Sequence, residues 1–274
     1  MTTVSQARVA GLASRRLANE LNILARSGKW EIAMATLQRI EPSNTVQENV
    51  YHYTIVISAC GRAGKLAEAF SVFDRMKERQ IQPNLCTYTA LITACANKGL
   101  INDAFRVYAE MRLQKEIPNV KTITAIVTAC ARVGKWEKAI QVLKEAERLS
   151  IETNVITYTA AIEACRRAEV CKPAMALLAL MHNSQNLRPN NVTYNTVLGA
   201  CTAANDTNAV LQVYAKMVAD GYGPVAYTRD LLIKHFKGTD TEDLVQALEI
   251  QGNARSRMQG SDSAAAMEAA QGSN

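Results

Sequence analysis

The chain has 274 residues, 48% of them hydrophobic, 20% charged and only 5% aromatic, with a net charge of +6. That balance excludes a wholly disordered chain, and the longest apolar run, near Ala174–Met181, falls far short of the ~18 residues a membrane-spanning helix needs. The basic excess is compatible with a nucleic-acid partner without establishing one.

In chain order, the first nineteen residues contain no Asp or Glu but carry Arg8, Arg15 and Arg16 among Ser, Thr and Ala. Such a stretch reads either as an organelle transit segment, which would place the protein in a mitochondrion or plastid, or as a short basic lead-in over residues 1–13. No apolar core of the secretory kind is present. From residue 14 onward the sequence repeats itself. The segments Val50-Tyr51-His52-Tyr53-Thr54, Leu85-Cys86-Thr87-Tyr88-Thr89, Val120-Lys121-Thr122-Ile123-Thr124, Val155-Ile156-Thr157-Tyr158-Thr159 and Asn191-Val192-Thr193-Tyr194-Asn195 align. With them align Gly64, Gly99 and Gly134, then Ala69, Ala104, Ala139 and Ala174, then Met76, Met111, Met181 and Met217. Pro83, Pro118, Pro189 and Pro224 close four of the units. Self-similarity at this period is the mark of a repeat array. The units fall near 14–49, 50–84, 85–119, 120–154, 155–190 and 191–225, with a partial one over 226–251 and a disordered tail expected over 252–274.

Within a unit the apolar spacing predicts two helices. Tyr88, Leu91, Ile92 and Cys95 share one helical face, Gly99 ends that helix, and a second runs from about Ile101 to Leu113 with Ala104, Phe105, Tyr108 and Met111 on one side. Pro118 stops it. One hairpin cannot bury its apolar face alone, so neighbours must stack. The expected fold is all-α, a right-handed α-solenoid superhelix of about six to seven helix-turn-helix repeats of 35 residues, with the first helices lining the concave side.

Cys60, Cys95, Cys130, Cys165 and Cys201 follow at intervals of 35, 35, 35 and 36 residues. Metal ligands must converge on one point, whereas cysteines one repeat apart occupy equivalent places in successive units. They read as small buried packing residues, with Cys86 and Cys171 incidental. No metal site, cofactor, small-molecule substrate or membrane is expected. His52, His182 and His235 join no catalytic constellation, and no phosphate loop or nucleophile elbow is present, so the protein is expected not to be an enzyme.

Units such as Asn84-Leu85-Cys86-Thr87-Tyr88-Thr89-Ala90-Leu91-Ile92, running on to Ala109-Glu110-Met111 and closing with Ile117-Pro118-Asn119, resemble pentatricopeptide repeats over roughly residues 14–250. With no editing-type or endonuclease-type domain in view, the chain resembles the pure-repeat P class. That resemblance implies sequence-selective single-stranded RNA binding, one repeat to one base, in organelle RNA processing, stability or translation, with protein effectors as further partners. By the same resemblance the base-reading residues are Thr54 with Asn84, Thr89 with Asn119, Thr124 with Asn154 and Thr159 with Asn190, a combination associated with adenine. Asn195 is a further base-reading residue whose partner Val225 departs from the usual pairing, at best a weak pyrimidine preference, and in the first unit Ala18, paired with Asn49, brings no hydroxyl or amide to the position after the expected aromatic. Tyr51, Cys86, Ile156 and Val192 would wedge between bases, with Lys121 an odd occupant of that column. Arg26, Arg62, Arg132 and Arg167 would face phosphate. Simpler roles compete. Asn just before a helix is a preferred N-cap, and a cation at a helix C-terminus is favoured by the dipole. A protein scaffold docking a peptide in the groove, or a structural subunit of a ribonucleoprotein, would use the same architecture.

Overall fold

The structure, a computed structural model, describes residues 2–40 and 48–237, with side chains from residue 11 onward. Among the described residues there are thirteen α-helices and no strand. They alternate as first and second helices of successive hairpins: α1 (Thr2–Arg26) with α2 (Trp30–Ile40), α3 (Val50–Arg62) with α4 (Leu66–Glu78), α5 (Leu85–Lys98) with α6 (Ile101–Leu113) and α7 (Val120–Arg132) with α8 (Trp136–Arg148). Then come α9 (Val155–Arg167) with α10 (Cys171–Asn183), α11 (Asn191–Ala203) with α12 (Thr207–Ala219), and α13 (Ala226–Phe236).

The chain divides into two compact units, Met1–Ala164 and Cys165–Asn274. In the first, α1, α3, α5 and α7 pack one against the next, and each second helix also touches the following first helix, α2 on α3, α4 on α5 and α6 on α7. In the second, α10 packs on α11 and α12, while α11 packs on both α12 and α13. This is the stacked all-α hairpin architecture that the periodicity predicts.

The repeated columns form the core. Tyr88, Leu91, Ile92 and Cys95 of α5 and Ala104, Val107 and Met111 of α6 are all buried, each large apolar side chain contributing about 1.5–3 kcal/mol. The alanines 69, 104, 139 and 174 are wholly inaccessible, which fixes how near paired helices lie, since a Leu there would overpack the contact. Each hairpin turn needs a left-handed residue. Gly99 supplies it at φ 70°, as do Gly28, Gly64 and Gly134, while Glu169 and Asn205 adopt it without the glycine's freedom.

Two differences from the sequence reading stand out. Helix α1 begins at Thr2, well before Ser14 where the first repeat is placed, because nothing between them is a strong helix breaker except the single Gly11. The cysteines also do not all behave alike. Cys60, Cys95, Cys130 and Cys165 are free and buried, and burial pushes their thiols up, to about 11 for Cys60 and Cys95 and about 12 for Cys130 and Cys165. Cys201, however, forms a disulfide with Cys171 that joins α11 to α10. The reading of the whole ladder as isolated packing residues, and of Cys171 as incidental, fails there. The expected tail over 252–274 and the second half of the partial last repeat lie outside the described residues.

Candidate nucleic-acid interface

The sequence places an Asn before five first helices, and the structure gives it a local task. Asn84, Asn119 and Asn190 sit at the N-caps of α5, α7 and α11 in extended backbone, and each side-chain oxygen accepts the amide of the helix's third residue, Thr87, Thr122 or Thr193. Asn154 Oδ1 accepts from Thr157 N at 3.0 Å. The capping role is therefore real, and it stabilises each helix by roughly 0.5–2 kcal/mol. It does not use up the residue.

That third residue carries a second contact which the sequence reading overlooked. Thr87, Thr122 and Thr157 are completely buried. Their hydroxyls bond back to the capping oxygens of Asn84, Asn119 and Asn154 at 3.2, 3.1 and 3.0 Å. They also lie 2.8, 2.8 and 2.7 Å from the hydroxyls of Thr54, Thr89 and Thr124 in the preceding first helix. Those latter threonines donate to the carbonyls of Val50, Leu85 and Val120 one turn earlier, at 2.7–2.8 Å. Three of the four expected Thr–Asn reading pairs, Thr54–Asn84, Thr89–Asn119 and Thr124–Asn154, are thus joined through a buried hydroxyl. The signal was visible as a Thr column at positions 87, 122, 157, 193 and 228.

The pairs open onto clefts between consecutive first helices. A cleft of about 320 Å³ holds Thr89 and Asn119 between Cys86 and Lys121, with Arg62, Asn97 and the small Gly61 and Ala94 also lining it. The next, of about 390 Å³, holds Thr124 and Asn154 between Lys121 and Ile156. Within the second unit a cleft of about 440 Å³ holds Asn195 and Val225 between Val192 and Tyr227. The wedge column is solvent-facing: Tyr51, Ile156 and Val192 are 53%, 67% and 63% exposed, and Cys86 is also exposed. Tyr227, 68% exposed, occupies the same register in α13 and was not singled out from the sequence.

The arginines are less uniform. Arg26, Arg62, Arg132 and Arg167 are exposed final residues of α1, α3, α7 and α9, where a cation also complements the helix dipole. Arg62 lines the first cleft, yet its guanidinium donates to Ala25 O at 3.1 Å and Ser58 Oγ at 2.8 Å. Within the second unit it is Arg166, one residue before Arg167, that lines clefts.

Models of known families match along most of this array. One described as PPR repeat family fits residues 48–97 and 85–132, one described as PPR repeat fits 122–151, and one described as pentatricopeptide repeat domain fits 141–202 and 177–238. The chain is a pentatricopeptide repeat protein. Comparison with curated proteins finds no significant match. Among solved structures, this pentatricopeptide repeat chain is similar to PPR10 from maize, at 21% identity and a TM-score of 0.61 over 90% of this chain and 41% of that one. It is also similar to PPR10 in complex with an 18-nt psaJ RNA element, at 22% identity and 0.55 over 86% and 32%. A third likeness is to the PPR domain of Arabidopsis thaliana protein-only RNase P 1 in complex with tRNA, at 18% and 0.58 over 66% and 95%. The chain spans only 41% and 32% of the two PPR10 chains, and at such identities the likeness is one of fold.

The two end repeats of this pentatricopeptide array depart from the central pattern in identifiable ways. In the first, Ala18 is buried and carries no hydroxyl, and His52 stands where later helices have the bridging Thr. His52 Nε2 meets Ser14 O at 3.0 Å, the carbonyl position that a reading Thr would serve, while Asn49 donates to Ser14 Oγ at 3.1 Å. In the sixth, Asn195 donates to Asn191 O and Oδ1 and accepts from Val225 N at 3.0 Å. Its amide is committed within the protein, and Val225 offers no side-chain cap.

Proposed function

We propose that this chain binds single-stranded RNA, seating one unpaired base per cleft and preferring adenine where Thr and Asn are paired. The observation that carries the reading is the repeated cleft: an exposed wedge on either side, with a half-buried hydroxyl and a capping amide at its back. Unpaired bases present open edges to such groups. Charge favours RNA over a docked peptide. The four clefts along the first helices are lined by Arg62, Lys121, Arg166 and Lys234 and by no acidic residue, which suits a phosphate backbone.

Thr54–Asn84, Thr89–Asn119 and Thr124–Asn154 would read three successive adenines, with Thr159–Asn190 continuing the same pairing in sequence, 5′ to 3′ from the N-terminal repeat. The role is binding without catalysis, in RNA processing, stability or translation within a mitochondrion or plastid. Affinity is expected to be modest, each competent cleft contributing ~1–2 kcal/mol. The test is selection from a random RNA pool by the unsubstituted chain and by one carrying Thr89→Asn, Thr124→Asn, Asn119→Asp and Asn154→Asp. The first should enrich adenine runs and the second should replace adenine by uridine at the two matching positions. Adenine preference that survives the four changes would refute the assignment of the reading residues.

A further inference from the structure

We propose that the third residue of each central first helix is a positioning residue for the repeat before it. Thr87, Thr122 and Thr157 would hold the reading pairs Thr54–Asn84, Thr89–Asn119 and Thr124–Asn154, so that a base is read by one repeat and its readers are set by the next. The inference rests on the RNA-binding reading above and adds to it a set of residues that touch no base.

The geometry leaves few arrangements. Thr122 is buried, 2.8 Å from the Thr89 hydroxyl and 3.1 Å from Asn119 Oδ1. Asn119 Oδ1 also takes the Thr122 backbone N–H at 3.0 Å. Because a backbone N–H only donates, the inward atom of that amide must be its oxygen, and the nitrogen is turned the other way. The Thr89 hydroxyl has a single proton and two inward partners, Leu85 O at 2.7 Å and Thr122 Oγ1. If the proton goes to Leu85 O, Thr122 donates to Thr89. If it goes to Thr122, Thr122 donates to Asn119. In both arrangements Thr89 keeps only acceptor capacity for the cleft, beside the donor nitrogen of Asn119. An acceptor set next to a donor matches adenine, whose amino group donates beside ring nitrogens that accept. The same chain of contacts recurs with Thr87 and with Thr157, and the first repeat, where His52 replaces the Thr, has no reading hydroxyl to hold.

A capping role alone makes a different forecast, because α7, the helix that the cap stabilises, belongs to the repeat that contains Thr122. Thr122→Val keeps shape and removes the hydroxyl. Thr122→Ser restores it. Affinities are measured against RNAs carrying single-base replacements along the adenine run, and the order of the Asn119 side-chain amide is followed by 15N relaxation in the free protein. Thr122→Val should lower adenine discrimination by about three- to tenfold, the loss of one hydrogen bond, only at the nucleotide read by repeat 85–119. Thr87→Val should do so one nucleotide earlier and Thr157→Val one later, while Thr122→Ser should behave as the unsubstituted chain. Asn119 should loosen in Thr122→Val even without RNA. Loss spread evenly over the run, loss at the repeat that contains the substituted Thr, or an unchanged Asn119 amide would each overturn the proposal. A chain in which Asn119 loosens but no RNA binds would sink the RNA reading instead.

Discussion

Gly61 lies within α3, where helix propensity alone makes Gly61→Ala stabilising by about 0.8–1 kcal/mol. Packing opposes it. A Cβ at that position would stand 2.7 Å from the Cβ of Ala94 on α5 and 3.6 Å from its Cα, against an optimal carbon separation of ~3.5–4 Å. The two helices must part by roughly 1 Å to admit the methyl group, and such overpacking costs about 1–3 kcal/mol. The expected sum is a net loss of about 1 kcal/mol, together with a wider cleft, because Gly61 and Ala94 both line the cleft that holds Thr89 and Asn119. Ala94→Gly should be destabilising alone but should relieve Gly61→Ala, giving a favourable coupling of roughly 1–3 kcal/mol in a double-mutant cycle. Urea unfolding followed by helical circular dichroism reads all four chains, compared at equal slopes. If Gly61→Ala raises stability by the propensity increment, or if the two changes add, the close approach of α3 and α5 at Gly61 and Ala94 is refuted.

Reduction of the Cys171–Cys201 bond releases a loop with a sequence separation of 30, a constraint of about 3–4 kcal/mol on the chain-entropy account. Urea unfolding of the second unit should shift downward under reductant, and thiol titration in denaturant should rise from five to seven of the chain's cysteines; superimposable curves and seven thiols from the outset would contradict the bridge. Burial lowers the pKa of His52, whose Nδ1 is enclosed without a partner. Below the ordinary value of about 6.5 the unfolded chain therefore binds the proton more readily than the folded one. Stability should be fully present above that pH and decline as pH falls from it toward the lowered folded value. His52→Thr should flatten this decline in a pH series of urea midpoints, leaving the slope from His182, likewise pushed down by burial; an unaltered profile would show that His52 is not responsible.

Much of the fold was legible because its signals are periodic. The Gly, Ala and Met columns recur in register, and the structure buries Ala69, Ala104, Met76 and Met111 alike. What escaped was pairwise or positional. The bond between Cys171 and Cys201 joins a residue outside any column to one inside a column, and sequence spacing carries no information about which atoms meet. The start of α1 depends on the lack of a breaker, a weaker mark than a cap. Tyr227 sits in a repeat too short to announce its register. The buried Thr column was in plain view but ambiguous, since a Thr at the third helical position reads as a cap residue until a neighbouring hydroxyl is found 2.8 Å away. The Arg column illustrates the opposite limit: its periodicity is clear, but Arg62 is occupied by Ala25 O and Ser58, so shared register does not guarantee shared contacts.

The bond from Thr89 to Thr122 crosses the proline and loop by which one would naturally divide the array into cassettes. Any exchange of repeats between chains that is spliced at the repeat boundary, just after Asn119, would import a Thr–Asn pair while leaving its supporting hydroxyl behind in the host. The serviceable seam lies downstream of the third residue of the next helix, past Thr122. Grafts cut there should carry their base preference with them, whereas grafts cut at the repeat boundary should inherit whatever side chain the recipient happens to supply.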